Sequence, residues 1–389
     1  MGGNSSAYKI NVDGVPASDA ANIELEANDS VYVFVQVTVD PNSENLPFII
    51  RDSIQVAYNG NERFVQLEAW GQNSHFFRNK QVLANETWTN DLPYVIQGYL
   101  FIGADKKLTI EKGCRIYFHA DAPLLVDGTL AVNGEKDTID HVYFAGDRLD
   151  EPYTNFPAAW PGIYFSASSK DNILRYAVIK NAYQAIALQS PSSNANPKLR
   201  LQQCVVDNAY DAGLLAVNSS ITAENCLISN CGKNISLSGG GVYEFTHCTA
   251  VTYSNAYIDH KEPVLFLSNA ADAGTASLQA VFRNCIFWGE GGLIDNEVVV
   301  DRQGSAAFAV NFDHGLWKVS SAPANVTLNQ VINQPPLFDS VNVSERYYNF
   351  RLKDLSPALD AGVTTSVLID LDGKSRPVNL PDLGCFEKQ

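Results

Sequence analysis

Apolar residues recur along this chain at a spacing that predicts short parallel strands stacked on one another. Cys204, Cys226 and Cys248 lie 22 residues apart, and each has an apolar residue three positions before it and two positions after it. The residues at the centre of this pattern, here called the anchors, are Val142, Ala177, Cys204, Cys226, Cys248 and Cys285. A minimum spacing with longer variants is typical of one unit that repeats with insertions, and this spacing suits one turn of a parallel β-helix. The alternation within each unit is that of a strand, so we expect the anchors to point inward in a right-handed coil, the hand that parallel crossovers favour.

Three asparagines follow the anchors at one fixed offset. Asn181, Asn208 and Asn230 each lie four residues after an anchor. Asparagine tolerates the left-handed turn conformation and bonds to nearby backbone, and asparagines at equivalent corners can form a ladder of side-chain amides. This pattern predicts a structural ladder at one corner of the coil. The alternative interpretation is a set of polar contacts to a ligand.

The chain divides into three predicted parts, all of them β. Residues 1–79 are predicted to form a small Ig-like β-sandwich, because valines alternate with other residues from Val31 to Val39 and Asn59-Gly60 is a hairpin signal. Residues 80–340 are predicted to form a right-handed single-stranded parallel β-helix, whose regular part begins near Tyr94 after a polar stretch. Residues 341–389 are predicted to close the β-helix. The insertions predicted to loop out of the coil are Asp147–Trp160, Ser190–Lys198 and Asn269–Ser277.

Charge and cysteine content narrow the function classes. The 389 residues carry a formal net charge of -16, which argues against nucleic acid, since phosphate binding needs a basic face. The sequence has no apolar run of membrane-spanning length. Of its seven cysteines, four are anchors, and we expect these to be reduced, buried and packed as small apolar side chains. Zinc is disfavoured because no CxxC pair occurs.

Three segments of the predicted coil carry a resemblance to a known family. They are Leu108–Phe118 (LTIEKGCRIYF), Leu125–Gly134 (LVDGTLAVNG) and Trp160–Phe165 (WPGIYF). These segments resemble the right-handed parallel β-helix surface proteins of bacteria, in the pectate-lyase-like superfamily. The resemblance implies an exported protein at the cell surface or attached to the outer membrane. It also implies a lipid anchor on a cysteine that precedes residue 1.

The end of the chain resembles the closing segment of many such proteins. The matching runs are SPALDAG at residues 356–362, DLDGKSRP at residues 370–377 and DLGCFE at residues 382–387. Cys385 departs from the family pattern, in which a small residue such as alanine is usual at this position.

Enzymes of the superfamily carry motifs that this chain lacks. Pectate lyases use clustered aspartates for calcium and an Arg or Lys base, and polygalacturonases use Asp-Asp and Gly-His-Gly, neither of which occurs here. The remaining candidates for catalysis are Lys180, Asp207 and Asp211, because paired carboxylates can hydrolyse a glycoside. Lys180 and Asp207 occupy equivalent positions on neighbouring coils, so a surface ion pair is the favoured interpretation. The run His260-Lys261-Glu262 is a polar cluster near an insertion that could take part in chemistry, and a solvated loop explains it equally well.

Asp370, Asp372 and Asp382 are the candidates for a metal site. Residues 370–373 resemble the start of a calcium loop, but the distal glutamate at the required spacing is missing. A local turn, with Arg376 pairing with Asp372 or Asp382, explains the run without a metal. No cofactor is therefore predicted, with calcium as the alternative.

Tyrosines are the main indication of a ligand. Tyr183 and Tyr210 end Asn-Ala-Tyr repeats next to the predicted ladder, and Tyr257 ends a third such repeat. If all three point outward, they form a flat aromatic stripe of the kind on which sugar rings stack; covering a corner is the alternative.

The features together favour a non-catalytic exported cell-surface protein that binds glycans or a partner on a face of the β-helix. Neutral glycans are favoured, since surplus acid repels a polyuronate. The first alternative is a polysaccharide lyase or glycoside hydrolase with an atypical active site. The second is a structural adhesin or stalk.

Overall fold

The computed structural model describes residues 5–39, 48–271 and 274–389. The chain forms two compact units, Met1–His75 and Phe76–Gln389, a division close to the predicted boundary after residue 79. Strands dominate both units, which confirms the all-β class. Among the described residues, helix is limited to the short 3-10 turns Thr138–Asp140 and Tyr153–Asn155.

The first unit consists of short antiparallel strands. They are β1 (Tyr8–Val12), β2 (Val15–Ala17), β3 (Val33–Val37), β4 (Phe48–Tyr58) and β5 (Asn61–Gly71). β1 pairs with β2 and β3 in one sheet, and β4 pairs with β5 in a hairpin. The turn of this hairpin is Asn59-Gly60, and both residues have positive φ, as a type I′ turn requires. The predicted antiparallel strands and hairpin are therefore present.

The valines of β3 are exposed, although their alternation predicts a buried face. A cleft of about 520 Å³ lies beside Tyr8 and Ile50, between β1 and the β4–β5 hairpin. The Tyr8 hydroxyl donates a 2.9 Å hydrogen bond to the Ile50 carbonyl. Because the two sheets meet beside an open cleft, the buried apolar side chains among the described residues of this unit are Tyr8 and Val12 alone.

The second unit contains the remaining strands. In chain order they are β6 (His75–Val82), β7 (Glu86–Trp88), β8 (Tyr94–Ile102), β9 (Lys107–Glu111), β10 (Arg115–Phe118), β11 (Leu124–Val126), β12 (Thr129–Asn133), β13 (Val142–Gly146), β14 (Ile163–Phe165), β15 (Asn172–Arg175), β16 (Ala177–Lys180), β17 (Gln184–Gln189), β18 (Leu199–Gln202), β19 (Val205–Asp207), β20 (Ala212–Glu224), β21 (Leu227–Ser229), β22 (Lys233–Thr246), β23 (Thr249–Tyr253), β24 (Leu265–Ser268), β25 (Ala270–Ala271), β26 (Gly274–Thr275), β27 (Leu278–Glu290), β28 (Val298–Asp301), β29 (Phe308–Trp317), β30 (Thr327–Ile332), β31 (Phe338–Asn342) and β32 (Tyr347–Leu352).

Apart from the antiparallel pairs β25–β26 and β31–β32, these strands wind into a parallel coil with three sheets. Sheet A contains β10, β13, β16, β19, β21, β23 and the second half of β27. Sheet B contains β11, β14, β17, β24 and the first halves of β20 and β22. Sheet C contains β9, β12, β15, β18 and the second halves of β20 and β22. Each coil passes through A, B and C in turn, so we name its turns the A–B, B–C and C–A corners.

The coil begins earlier than its predicted start near Tyr94. β6 pairs with β8 and β7 with β9, so the polar stretch before Tyr94 already belongs to the parallel coil. Three of its apolar residues, Phe77, Val82 and Trp88, pack into the core, whereas Phe76 and Leu83 are exposed. The hydrophobic pattern is weak there because a first coil has a parallel neighbour on one side only.

The anchors form one column inside the coil, as predicted. All of them are buried, and they stand at the start of sheet A, where Val142 pairs with Ala177. All seven cysteines are buried and unpaired. Burial raises the pKa of the Cys204, Cys226 and Cys248 thiols well above the ordinary value, so shape rather than reactivity accounts for them.

We expect these thiols to be unreactive in the folded protein. A thiol reagent such as dithionitrobenzoate should find no accessible cysteine under native conditions, because the thiolate is the reactive form and burial disfavours it. After unfolding without reductant, it should find all seven. Recovery of a Cys204–Cys226 disulfide peptide by mass spectrometry would contradict this packing.

The C-terminal part lies along the side of the coil. β31 and β32 form an antiparallel hairpin. The segment that follows packs Leu371, Leu383 and Cys385 against Val251 and Ile286, which are outward-facing residues of sheet A. The segment therefore covers the flank of sheet A over several coils, because outward positions of this sheet are apolar; the closing role stays a prediction.

Candidate functional site

The A–B corner carries two of the predicted tyrosines on successive coils. The Tyr210 amide donates to the Ala182 carbonyl (2.9 Å), and the Gly232 amide donates to the Ala209 carbonyl (3.0 Å). Each acceptor directly precedes the equivalent residue of the coil before, so Tyr183, Tyr210 and Gly232 share one position on three coils. The two tyrosine side chains point outward and are 45% and 51% exposed.

The rings of Tyr183 and Tyr210 stack on each other, and we call them the tyrosine stack. Their centroids are 6.0 Å apart and their planes differ by 26°, an offset stacked arrangement. These two exposed rings are the part of the predicted stripe that lies on successive coils. Neighbouring strands lie about 4.8 Å apart, a spacing that lets aromatic rings at equivalent positions stack with an offset. The next coil has Gly232 at the equivalent position, so no side chain continues the stack beyond Tyr210 there.

Tyr257 belongs to a different aromatic cluster. Its ring centroid lies 5.1 Å from that of Phe156, and the Arg346 guanidinium lies 4.9 Å from its centroid. Tyr257 thereby joins the insertion at residues 254–263 to the loop at residues 147–160. The three tyrosines consequently do not form one stripe, because Tyr257 lies two coils beyond Tyr210, in the insertion at residues 254–263.

Charged groups near the tyrosine stack are paired with one another. Asp211 accepts a 3.1 Å contact from Lys233 Nζ and a 2.7 Å hydrogen bond from Gln184. Lys180 and Asp207 lie opposite each other in sheet A, with 3.5 Å between Nζ and Oδ2. The predicted cross-coil pair is therefore present. All four charged side chains are partly exposed, and such surface pairs contribute little to stability.

The asparagine ladder at this corner is shorter than predicted. Asn181, Asn208 and Asn230 all have positive φ and are buried. Asn208 Nδ2 donates to Asn181 Oδ1 at 2.7 Å, whereas Asn230 Nδ2 contacts Asp207 Oδ1 at 3.4 Å. The amides of the first two asparagines also donate to carbonyls of the loop at residues 147–160. The ladder therefore fastens this loop to the corner, which supports the structural interpretation of the asparagines.

A buried pair holds the insertion at residues 254–263. His260 Nε2 lies 2.9 Å from Glu297 Oε1, and both side chains are 1% exposed. Gly289 and Gly292 enclose the pair so closely that a Cβ on either glycine would overlap it. The interpretation of His260 as part of a solvated loop is therefore wrong, although the two residues after it are exposed.

The carboxylates considered as calcium ligands have separate partners. Both oxygens of Asp370 and both oxygens of Asp382 accept backbone amides of the C-terminal segment. Asp372 forms a bidentate contact with Arg351 at the surface. Within the part of the chain that the structure describes, no three His, Cys, Asp or Glu side chains come together in a way that could hold a metal ion.

Arg376 is the buried centre of the C-terminal segment. Its Nη1 lies 3.1 Å from Glu387 Oε2, and the two side chains are 0% and 1% exposed. The same nitrogen donates to the Asp382 carbonyl (2.9 Å) and to His247 Nδ1 (2.7 Å). The prediction that Arg376 pairs with the side chain of Asp372 or Asp382 is therefore wrong, because the buried carboxylate of Glu387 takes that place.

The C–A corner binds this C-terminal segment, and this contact was not predicted from the sequence. The residues directly before five of the anchors turn with positive φ, and they are Tyr176, Gln203, Asn225, His247 and Asn284. Asn225 Nδ2 donates to a carbonyl of the segment at 2.6 Å, and Asn284 Nδ2 does so at 2.7 Å. The available signal was the recurrence of polar residues immediately before anchors.

Lys198 is a buried ammonium at the end of another insertion. Its Nζ donates to the carbonyls of Ser166 (2.8 Å), Ala167 (3.1 Å) and Gln189 (2.8 Å). Burial lowers the pKa of Lys198 to about 8. Because its side chain is inaccessible to solvent, we interpret it as a fastening of residues 190–198 to the coil.

Comparison with known proteins supports the fold. A family described as right handed beta helix region matches residues 95–258, which include the tyrosine stack. Comparison with curated proteins gives no match. The chain thus contains a right-handed parallel β-helix, a fold that by itself does not decide function. None of the helices formed by the described residues has the length and apolar character to cross a membrane.

Proposed function

We propose that this protein is a non-catalytic glycan-binding protein whose binding site is the A–B corner of its β-helix. The tyrosine stack is the observation that carries the proposal. It presents exposed aromatic surface on rigid, consecutive coils, with carboxylate, amide and ammonium groups beside it. Binding sites for small ligands combine such apolar surface with a few polar groups that fix orientation.

The charged groups at the corner favour binding over cleavage. A general acid or base must be free to reach the substrate in the correct protonation state. Asp207 and Asp211 instead bind Lys180 and Lys233 of neighbouring coils. The alternative of a lyase or hydrolase requires these pairs to open around a substrate, and the alternative of an adhesin or stalk leaves the exposed tyrosines without a role.

Neutral glycans are the proposed ligand class. The chain carries a net charge of -16. Such a surplus of acid repels a polyuronate at long range, even though Asp207 and Asp211 are themselves paired with lysines. Export to the cell surface, with or without a lipid anchor, stays a prediction that rests on the resemblance to bacterial surface proteins.

Replacing Tyr183 and Tyr210 together with Ala should weaken binding of neutral glycans at least about tenfold, or about 1.4 kcal/mol. The effect arises because both rings of the stack are lost. Titration calorimetry with cellohexaose, xylohexaose and mannohexaose measures it. The thermal unfolding of the coil should stay nearly unchanged, because surface substitutions usually have small effects.

The matched control is Tyr347→Ala, since Tyr347 is also exposed but lies on β32. This variant should bind as the wild type does. Unchanged affinity of the double variant would contradict the proposal. Ultraviolet-absorbing unsaturated uronides released from polygalacturonate, with or without calcium, would show instead that the protein is a lyase.

A further inference from the structure

We infer that the site takes one neutral pyranose ring on the free face of Tyr210, where the sugar becomes the next member of the tyrosine stack. The inference rests on the proposed function and specifies the ligand's position and class. It follows from the residues that hold the equivalent position in the coil before Tyr183 and in the coil after Tyr210.

The stack is closed at one end. The Tyr183 amide donates to the Trp160 carbonyl at 2.7 Å, so Pro161 holds the equivalent position in the preceding coil. Tyr183 therefore has a ring-bearing residue on each side, Pro161 before it and Tyr210 after it. Only the outer face of Tyr210 is turned to a coil without a side chain at this position.

The backbone requires glycine at position 232. A Cβ on Gly232 would overlap the carbonyl oxygen of Tyr210 and approach that of Asp211 to 2.8 Å. No residue with a side chain fits there without moving the coil. The space beside the Tyr210 ring is thus a consequence of how closely the two coils approach.

The next coil supplies the far wall of this space. Ile235 pairs with Leu265, and Gly232 and Glu262 each lie three residues before these partners, so Glu262 belongs to the coil that follows the coil of Gly232. Glu262 is therefore two coils from Tyr210, or roughly twice the strand spacing of about 4.8 Å. That separation accommodates one ring in contact with both sides. The buried pair of His260 and Glu297 holds the wall in place.

The polar groups around this space suit sugar hydroxyls. Asp211 and Lys233 follow Tyr210 and Gly232 directly and lie 3.1 Å apart, and Glu262 of the next coil is exposed. Carboxylates accept hydrogen bonds from hydroxyl groups but repel a sugar carboxylate. Lys261 is already paired with Asp259 at 2.6 Å. Because both lysines are already paired with aspartates, no unpaired cation is offered to a uronic acid, whereas these polar groups suit the hydroxyls of a neutral pyranose.

Single tyrosine variants test this position. Affinity is measured for whichever of cellohexaose, xylohexaose and mannohexaose the wild type binds best. Tyr210→Ala should lose roughly tenfold or more in affinity, while Tyr183→Ala should lose clearly less, because only Tyr210 touches the sugar. Tyr210→Phe is the matched control and should keep most of the affinity, since it retains the ring face.

A second measurement does not depend on mutation. Nitration of tyrosines by tetranitromethane, read by mass spectrometry, should show that a saturating oligosaccharide protects Tyr210 more than Tyr183. Equal affinity losses in the two Ala variants together with equal protection would overturn the single-ring position and leave the proposed function standing. Wild-type affinity in both Ala variants, with no protection of either tyrosine, would overturn both.

Discussion

Replacing Arg376 with Met should destabilise the docked C-terminal segment by about 3–5 kcal/mol, the cost of removing one partner of a buried ion pair. Arg376 and Glu387 are enclosed between the segment and the coil, 3.1 Å apart. Burial already raises the pKa of Asp370, Asp382 and Glu387, and loss of the guanidinium removes the positive charge that faces them. Urea unfolding and limited proteolysis beyond residue 337 measure the effect.

The control for this prediction is a surface arginine of the neighbouring β31–β32 hairpin. Arg351→Met removes the pair with Asp372, whose side chains are 45% and 26% exposed, and should cost no more than about 1 kcal/mol. The double variant Arg376→Met, Glu387→Met should recover part of the stability, since it leaves no buried charge of this pair unpaired. If the two single arginine variants lost the same free energy of unfolding, the buried ion pair would contribute no more to stability than the exposed one.

The stability of the same region should fall as the pH falls below 6.5. Burial, and then the charge of Arg376, lowers the pKa of His247 from 6.5 to about 2. Between these values the unfolded chain binds a proton at this histidine that the folded protein does not bind. Unfolding therefore becomes easier on acidification, by at most about 1.4 kcal/mol per pH unit. Urea unfolding at a series of pH values measures the slope.

His247→Asn isolates the histidine in this pH dependence. Asparagine already stands at the equivalent corner position with positive φ at Asn225 and Asn284, so the backbone should tolerate it. Between pH 6.5 and the lower pH at which carboxyl groups titrate, the free energy of unfolding of this variant should depend less on pH than that of the wild type. The difference in slope is at most about 1.4 kcal/mol per pH unit, the equivalent of one proton. An unchanged slope would show that His247 does not control the acid response.

The buried carboxyls act in the opposite direction at lower pH. Because the pKa values of Asp370, Asp382 and Glu387 are raised in the folded protein, the folded state binds more protons than the unfolded chain just above their ordinary values. The stability that these three carboxyls contribute is lost as the pH rises from their ordinary pKa values through the raised values of the folded protein. His247→Asn should expose this weaker, opposite trend.

The sequence predicts the coil well because its signal is periodic. The anchors fill one internal column, so every coil must place a small or medium apolar residue at the same offset, and the repeat survives insertions between coils. The C-terminal contacts lack any such period. Arg376 meets His247 across 129 residues, and no local pattern tells which buried carboxylate it pairs with.

The candidate site was predictable in its residues but not in its geometry. Tyr183 and Tyr210 stand out as repeated Asn-Ala-Tyr runs, yet whether their rings face solvent or each other depends on the coil spacing. Gly232 could not be recognised as part of the site from the sequence, because it stands at the position where the Asn-Ala-Tyr repeat stops. The burial of His260 depends on Glu297, which belongs to the next coil.

The docking of one segment on several coils limits how the length of this protein can change in evolution. In most solenoids each repeat contacts only its neighbours, so whole coils can be gained or lost. Here Asn225, His247 and Asn284, on three consecutive coils, all bind the C-terminal segment. Loss of a coil within this span would shift the remaining contacts by about 4.8 Å. Homologues should therefore vary in coil number outside this span and keep it constant within.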